Sequence, residues 1–360
     1  MFLKEIPNRI LAIRNLYISF QTDAGELKAI RGIDFDLFKN ETIALVGESG
    51  SGKSVTMKAI MGILDKNAKV TEGFINFKDV ETNKSYEITQ MSNLEIRKHL
   101  SGKKIAMIFQ DPMTSLDPTM RIGNQVLETI LHNTTTNKKD AKKKVLSLLE
   151  DVGLNNPELV YRQYPNQLSG GMRQRVVIAI ALACDPQILI CDEPTTALDV
   201  TVQAKILELI KQLQKEKELS VIYITHDLGV VAKVADYVAV MYAGRIIEKG
   251  SVEEIFYDPR HPYTWGLLSS MPDLNTKSGQ LQPIPGTPAN LMKEIKGDPF
   301  APRNPYALNI DFQEFPPQFN VGGKHRVSSW LFDERAPKVE MPAALRERID
   351  LMKKEANIYE

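Results

Sequence analysis

The chain has 360 residues, 43% apolar and 25% charged, which suits an ordinary globular protein of two domains or of one large domain with an appendage. Its 45 lysines and arginines balance 45 aspartates and glutamates, so no overall field draws it to nucleic acid or anionic lipid, and no nucleic-acid partner is expected. Two cysteines, Cys184 and Cys191, exclude a disulfide framework and fit a reducing cytoplasmic setting, while the opening MFLKEIPNRI lacks the apolar core of a secretory signal.

ETIALVG (41–47) predicts a buried strand, GESGSGKS a glycine- and serine-rich loop, and SVTMKAIMGI a helix. KKIAMIFQ (103–110) predicts a second strand, ending on Gln110. From about 116 to 167 the pattern turns helical and charged. Within it, the leucines spaced behind the lysines of NKKDAKKKVLSLLE predict a solvated helix face rather than a nucleic-acid patch. The longest apolar run, VVIAIALAC (176–184), is stopped by Asp185 and is too short to span a bilayer. QILICDE (187–193) and SVIYITHD (220–227) are further strands, separated by the amphipathic VQAKILELIKQLQKE. YVAVMYAGRIIEKG predicts two strands about a turn at Ala243–Gly244, and SVEEIF opens a helix with a Ser-x-x-Glu capping box at Ser251. Strands alternating with helices in this way predict an α/β domain. From about Pro262 prolines and aromatics rise and periodicity weakens. A boundary is therefore expected near Met271–Thr287, dividing 1–270 from a smaller, irregular 271–360.

GESGSGKS, with Gly47, Glu48, Ser49, Gly50, Ser51, Gly52, Lys53 and Ser54, fits the phosphate-loop pattern G-x-x-x-x-G-K-[ST] between a strand and a helix. Its glycines let backbone N–H groups turn inward around phosphate oxygens. Lys53 can reach terminal phosphates, and the Ser54 hydroxyl suits Mg2+. The loop alone leaves kinases, GTPases, helicases and transport ATPases open. ILICDE then delivers Asp192 and Glu193 to the C-terminal edge of a parallel sheet, where such folds place ligands. There Asp192 can hold Mg2+ through its water, and Glu193 can orient or deprotonate an attacking water. An acidic strand end that merely caps a helix is the plainer alternative.

LSGGMRQRV (168–176), together with those two motifs, resembles the signature of the ATP-binding-cassette (ABC) ATPases. The resemblance implies a P-loop cassette with a RecA-like core and a helical subdomain at about 116–167, using ATP and Mg2+. Ser169, Gly170 and Gly171 open a helix, offering free N–H groups to a phosphate. In that family this surface closes over the ATP of a partner cassette, so that two cassettes sandwich two nucleotides head to tail. The family's usual glutamine after the paired glycines is Met172 here. Gln110 is similar to the family glutamine that senses Mg2+ and the membrane partner. ALD (197–199), with Asp199, resembles the loop through which cassettes touch, and His226 the histidine that contacts the terminal phosphate. Phe20, before the turn DAGE, is a candidate for the aromatic that stacks on adenine, with a core strand phenylalanine nearly as good a reading.

FQDPMTSLDP, DEPTTALDVTVQAKI, HDLGVVAKVAD, HPYTWGLLSSMP and PFAPRNPYA extend the resemblance over nearly the whole chain, to ATPase subunits of bacterial oligopeptide, dipeptide and nickel uptake systems. The methionine of LSGGM is similar to the D type of oligopeptide-permease ATPase rather than to its F-type companion. What this implies is an ATPase that energises oligopeptide import from the cytoplasmic face of the membrane. Two membrane-spanning permease subunits, a homologous F-type ATPase and an extracellular or periplasmic peptide-binding protein would complete the complex. Dipeptide or nickel import is the alternative. A soluble ABC ATPase of DNA repair or ribosome function is the reading from another class, but neither a coiled-coil insertion nor a second cassette is present in the sequence.

In many relatives of this type the tail carries four cysteines that ligate an iron–sulfur cluster. The matching positions here are Asp298, Asn304, Asp311 and Ser329. Oxygen and amide donors do not replace thiolates, so no iron–sulfur cluster is expected, and the four positions are expected to be solvated turn residues.

Overall fold

A computed structural model describes residues 6–196, 198–271 and 284–355. Ala197 of the ALD loop, and most of the stretch in which the boundary is expected, lie outside them. Strands β1 (Arg9–Thr22) and β2 (Gly25–Phe38) form a hairpin about Asp23 and Ala24, with Phe20 opposite Leu27. β3 (Thr42–Val46) leads through the glycine-rich loop into α1 (Lys53–Ile60). β4 (Ala68–Lys78) and β5 (Ser85–Glu87) then complete a four-stranded antiparallel sheet ordered β2-β1-β4-β5. Helix α2 (Asn93–His99), opened by the Ser92–Glu95 capping box, precedes β6 (Ile105–Ile108). A helical region follows, made of α3 (Pro112–Ser115), α4 (Ile122–Asn133), α5 (Lys138–Asp151) and α6 (Pro157–Arg162).

The chain returns to the core with α7 (Gly170–Leu182), β7 (Ile188–Asp192), α8 (Val200–Glu216), β8 (Ser220–Thr225) and α9 (Leu228–Val234). β9 (Tyr237–Tyr242) and β10 (Arg245–Ser251) flank the expected turn, where Ala243 and Gly244 both have positive φ, the conformation that tight hairpins need. The capping box at Ser251 and Glu254 starts α10 (Val252–Tyr257), and α11 (Pro262–Ser269) follows. The C-terminal stretch adds β11 (Phe319–Gly322), β12 (His325–Val327) and α12 (Ala343–Glu355).

The second sheet is ordered β11-β12-β10-β9-β3-β8-β7-β6, and β9, β3, β8, β7 and β6 run parallel. β3, β7 and β8 are buried along their whole length, which is why they read as unbroken apolar runs rather than as alternating patterns. Successive β3 residues serve different cores. Ala44 and Val46 pack with the helical layer, Ile43 and Leu45 with α1 and the antiparallel sheet. Val126, Ile130, Val145 and Leu149 join the helical core, while Lys139, Lys142 and Lys143 remain exposed, as the leucine spacing predicts. One strand end differs from expectation: β6 stops at Ile108, where its register with Cys191 of β7 runs out, so Gln110 stands two residues beyond the strand. No helix among the described residues is long and apolar enough to cross a membrane.

The tail departs further from expectation. β12 pairs with β10, so the C-terminal stretch extends the main sheet. Asp298, Asn304, Asp311 and Ser329 are not solvated; each is under 9% exposed. They do close turns. Asp298 Oδ1 accepts the Phe300 N–H at 3.0 Å, Asn304 Oδ1 that of Tyr306 at 3.0 Å, and Asp311 Oδ2 that of Leu308 at 2.6 Å. The turns are carried inside because Phe300 packs edge-on against both Tyr242 and Tyr263, and because Gly297 lies so close to Asp311 that a Cβ would stand 2.0 Å from its carbonyl oxygen. These oxygen and amide acceptors, already engaged by backbone N–H groups, do not fit an iron–sulfur cluster.

Burial raises the Asp298 carboxyl to about 7, with Asp311 adding to the shift and the Phe300 N–H and Arg245 opposing it. Between about pH 4 and 7 the folded chain therefore holds a proton that the unfolded chain releases, and stability falls as pH rises through that window. Asp298→Asn, which keeps the acceptor for Phe300, is expected to stabilise the protein at neutral pH by on the order of a few kcal/mol. Denaturant unfolding between pH 4 and 8 checks this. A pH slope as steep in the variant as in the wild type would count against it.

Candidate functional site

The loops that follow β3, β6, β7 and β8 converge at the C-terminal edge of the parallel strands, the usual ligand position in such sheets. Buried β3 fixes the first of them. At its end Gly47 has φ +151° and passes so close to β9 that a Cβ would lie 2.1 Å from the Met241 carbonyl oxygen. Lys53 folds back under the loop, its Nζ donating to the carbonyls of Gly47 at 2.8 Å and Glu48 at 2.9 Å and to Ser51 Oγ at 3.3 Å. Desolvation lowers the Lys53 pKa, against the opposing pull of Glu193, Asp192 and Glu48. A buried cation beneath the N-terminus of α1 is the arrangement for holding an anion.

Ser54, next in α1, donates from Oγ to Asp192 Oδ1 at 3.1 Å, and burial raises the Asp192 pKa while that hydrogen bond opposes it. Glu193 follows in a left-handed conformation, φ +46°, held by its N–H on the Ile224 carbonyl at 2.9 Å. Such a backbone is costly for a non-glycine residue, and it marks a place where the fold imposes a side-chain direction. The Glu193 carboxylate gathers three partners. Oε2 accepts from Gln110 Nε2 at 3.0 Å and Thr196 Oγ1 at 3.2 Å, and Oε1 lies 2.9 Å from His226 Nδ1. A carboxylate fixed on three sides is equipped to accept a proton from a water placed against it.

These groups line a cavity of about 860 Å³, with Ser49, Gly50, Gly52, Lys53 and Ser54 on its wall together with Gln110, Asp192, Glu193 and His226. The same cavity is lined by Phe20, Thr22, Leu27 and Ala29 of the β1–β2 hairpin and by Ala289, Asn290 and Leu291 of the C-terminal stretch. Gly47, Glu48 and Ser51 belong to the loop without lining the cavity. Ser169, Gly170, Gly171 and Asp199 also lie outside its wall. Ser169 instead caps α7, accepting from the Met172 N–H at 3.3 Å, and Asp199 caps α8, accepting from Val202 at 3.0 Å. Sequence reasoning missed Thr196, Ala289–Leu291, and the contact of Arg303 with Glu48. Thr196 stands three residues after Glu193, a spacing that offered a signal, whereas nothing local in PFAPRNPYA points Arg303 at a loop 255 residues away.

Comparison with known proteins identifies the family. The ABC transporter family pattern matches residues 30–196, and that of the oligopeptide/dipeptide transporter C-terminal region matches 247–310. The chain is 53% identical over 98% of its length, and 96% of the relative's, to the oligopeptide transport ATP-binding protein of Bacillus subtilis. To the dipeptide transport ATP-binding protein of Lactococcus lactis it is 55% identical, covering 92% of this chain and 93% of that one. Among solved structures, it resembles a dimeric ATP-binding cassette in a post-hydrolysis state bound to ADP and Pi, with a TM-score of 0.58, 27% identity, and coverage of 68% of this chain and 99% of that one.

Proposed function

The chain belongs to the ABC transporter ATPases, in the branch with the oligopeptide/dipeptide C-terminal region, and from that membership we propose that it hydrolyses ATP to energise oligopeptide import. The observation that carries this reading is the convergence of Lys53, Ser54, Gln110, Asp192, Glu193 and His226 on one cavity that is also lined by Phe20, Leu27, Ala29, Ala289 and Leu291. The loop N–H groups and Lys53 take the phosphates of ATP, and the base stacks on Phe20. Ser54 and Asp192, with Gln110 beside them, would hold Mg2+, for which their oxygen donors are suited and whose charge offsets that of the phosphates. Glu193 accepts the proton of the attacking water while Gln110, Thr196 and His226 hold its carboxylate, and His226 also meets the terminal phosphate.

Ser169, Gly170, Gly171 and Asp199 serve a second, homologous ATPase of the F type, closing over the nucleotide that it holds. The dimeric cassettes of similar fold support this pairing. Closure driven by ATP requires contacts that the open pair lacks, and phosphates bridging one subunit's Lys53 to the other's signature helix supply them. Two permease subunits and a peptide-binding protein complete the complex, with the chain on the cytoplasmic face of the membrane. Residues 1–270 form the nucleotide-binding unit and 271–360 an extension of it. Dipeptide import is a second reading, favoured by the 55% identity to a dipeptide transport relative. A strain lacking the gene is expected to lose uptake of labelled oligopeptides. Loss of dipeptide uptake alone favours the second reading, and normal uptake of oligopeptides, dipeptides and Ni2+ refutes an importer role.

A further inference from the structure

We propose that the C-terminal segment from Ile284 to Arg303 is a working part of the nucleotide site, with Leu291 closing the base end of the cavity and Arg303 positioning the phosphate loop through Glu48. This rests on the reading of the cavity as an ATP site. Ala289 and Leu291 line the same cavity as Phe20, although they lie about 270 residues further along the chain. The segment is not loosely laid there. The Ala289 N–H donates to Tyr242 Oη at 3.2 Å, and Tyr242 ends the strand that supports Gly47.

Arg303 ties the same segment to the loop. Its side chain is 5% exposed and makes a two-pronged pair with Glu48, Nη1 to Oε2 at 2.7 Å and Nη2 to Oε1 at 3.0 Å. Its Nε donates to the Pro285 carbonyl at 2.8 Å, and Nη1 also reaches Tyr242 Oη at 3.2 Å. One guanidinium thus fastens the start of the segment, the supporting strand and the loop together. Glu48 is held from a second side, its N–H donating to Tyr263 Oη at 2.9 Å. The Glu48 carbonyl is in turn an acceptor for Lys53 Nζ, so displacing Glu48 moves the seat of the cation that meets phosphate. A planar, fully paired guanidinium supplies this geometry in a way that a lysine cannot.

The test is equilibrium binding of ATP and of inorganic tripolyphosphate, which has no base, to the full-length chain. Leu291→Ala is expected to weaken ATP severalfold and leave tripolyphosphate unchanged, because the wall meets the base alone. Arg303→Ala is expected to weaken both by about tenfold, the size of one lost charge-assisted hydrogen-bonded pair. Adding Glu48→Gln to Arg303→Ala should weaken binding little further, since the two residues act as one unit. Wild-type ATP affinity in both single variants overturns the proposal, and so does an equal loss of ATP and tripolyphosphate in Leu291→Ala, the mark of general damage. Should Arg303→Ala fail to fold, the half-buried Leu291 decides. Lys53→Ala separates the premise: a chain in which that substitution leaves ATP binding intact does not use this cavity for ATP at all.

Discussion

Glu193→Gln is expected to lower ATP turnover by the assembled transporter about 10²–10⁴-fold while ATP still binds. The loss is chemical, because an amide cannot take the proton of an attacking water. It is also geometric. The carboxylate now accepts from Gln110 and Thr196 on one oxygen and faces His226 with the other. An amide nitrogen in either position sets donor against donor, unless His226 presents an unprotonated Nδ1. Phosphate release measured beside retained nucleotide gives the split. Turnover at the wild-type rate would remove Glu193 from the proposed chemistry.

Lys53→Ala acts at the preceding step. Lys53 is 6% exposed, and desolvation lowers its pKa, so its charge meets an incoming phosphate with little water to screen it. Removing one partner of such a pair typically costs about 2–5 kcal/mol, so ATP affinity is expected to fall by about one and a half to three and a half orders of magnitude. The rise in unfolding temperature that ATP gives the wild-type chain should vanish in the variant at the same nucleotide concentration. An undiminished shift would mean that the phosphates bind elsewhere.

The parts of the molecule that follow local rules were legible in the sequence. β3, β7 and β8 announce themselves because strands buried on both faces must be apolar throughout, and the glycine-rich loop because few residue types can make that turn. Even the hairpin at Ala243–Gly244 and the cap at Ser251 are short-range chemistry. The antiparallel sheet is harder to read, since bulges between Ile13 and Leu16, and again between Ile18 and Ser19, break the two-residue period of β1. Burial of the tail was not legible at all. Asp298 and Asp311 have the right residue type for turns, but whether a turn faces water depends on where Phe300 docks, and that is decided by Tyr242 and Tyr263 far earlier in the chain. The Glu48–Arg303 pair is invisible for the same reason: it is a long-range contact, and nothing local in the phosphate loop or in PFAPRNPYA points one residue at the other.

The central claim is that hydrolysis in this cavity drives peptide movement. Its most direct measurement is ATP-driven accumulation of a labelled oligopeptide in vesicles that carry the complete transporter, with either the wild-type chain or Glu193→Gln. Accumulation with the wild type and its collapse with the variant is the expected result. Equal accumulation with both chains would contradict the account.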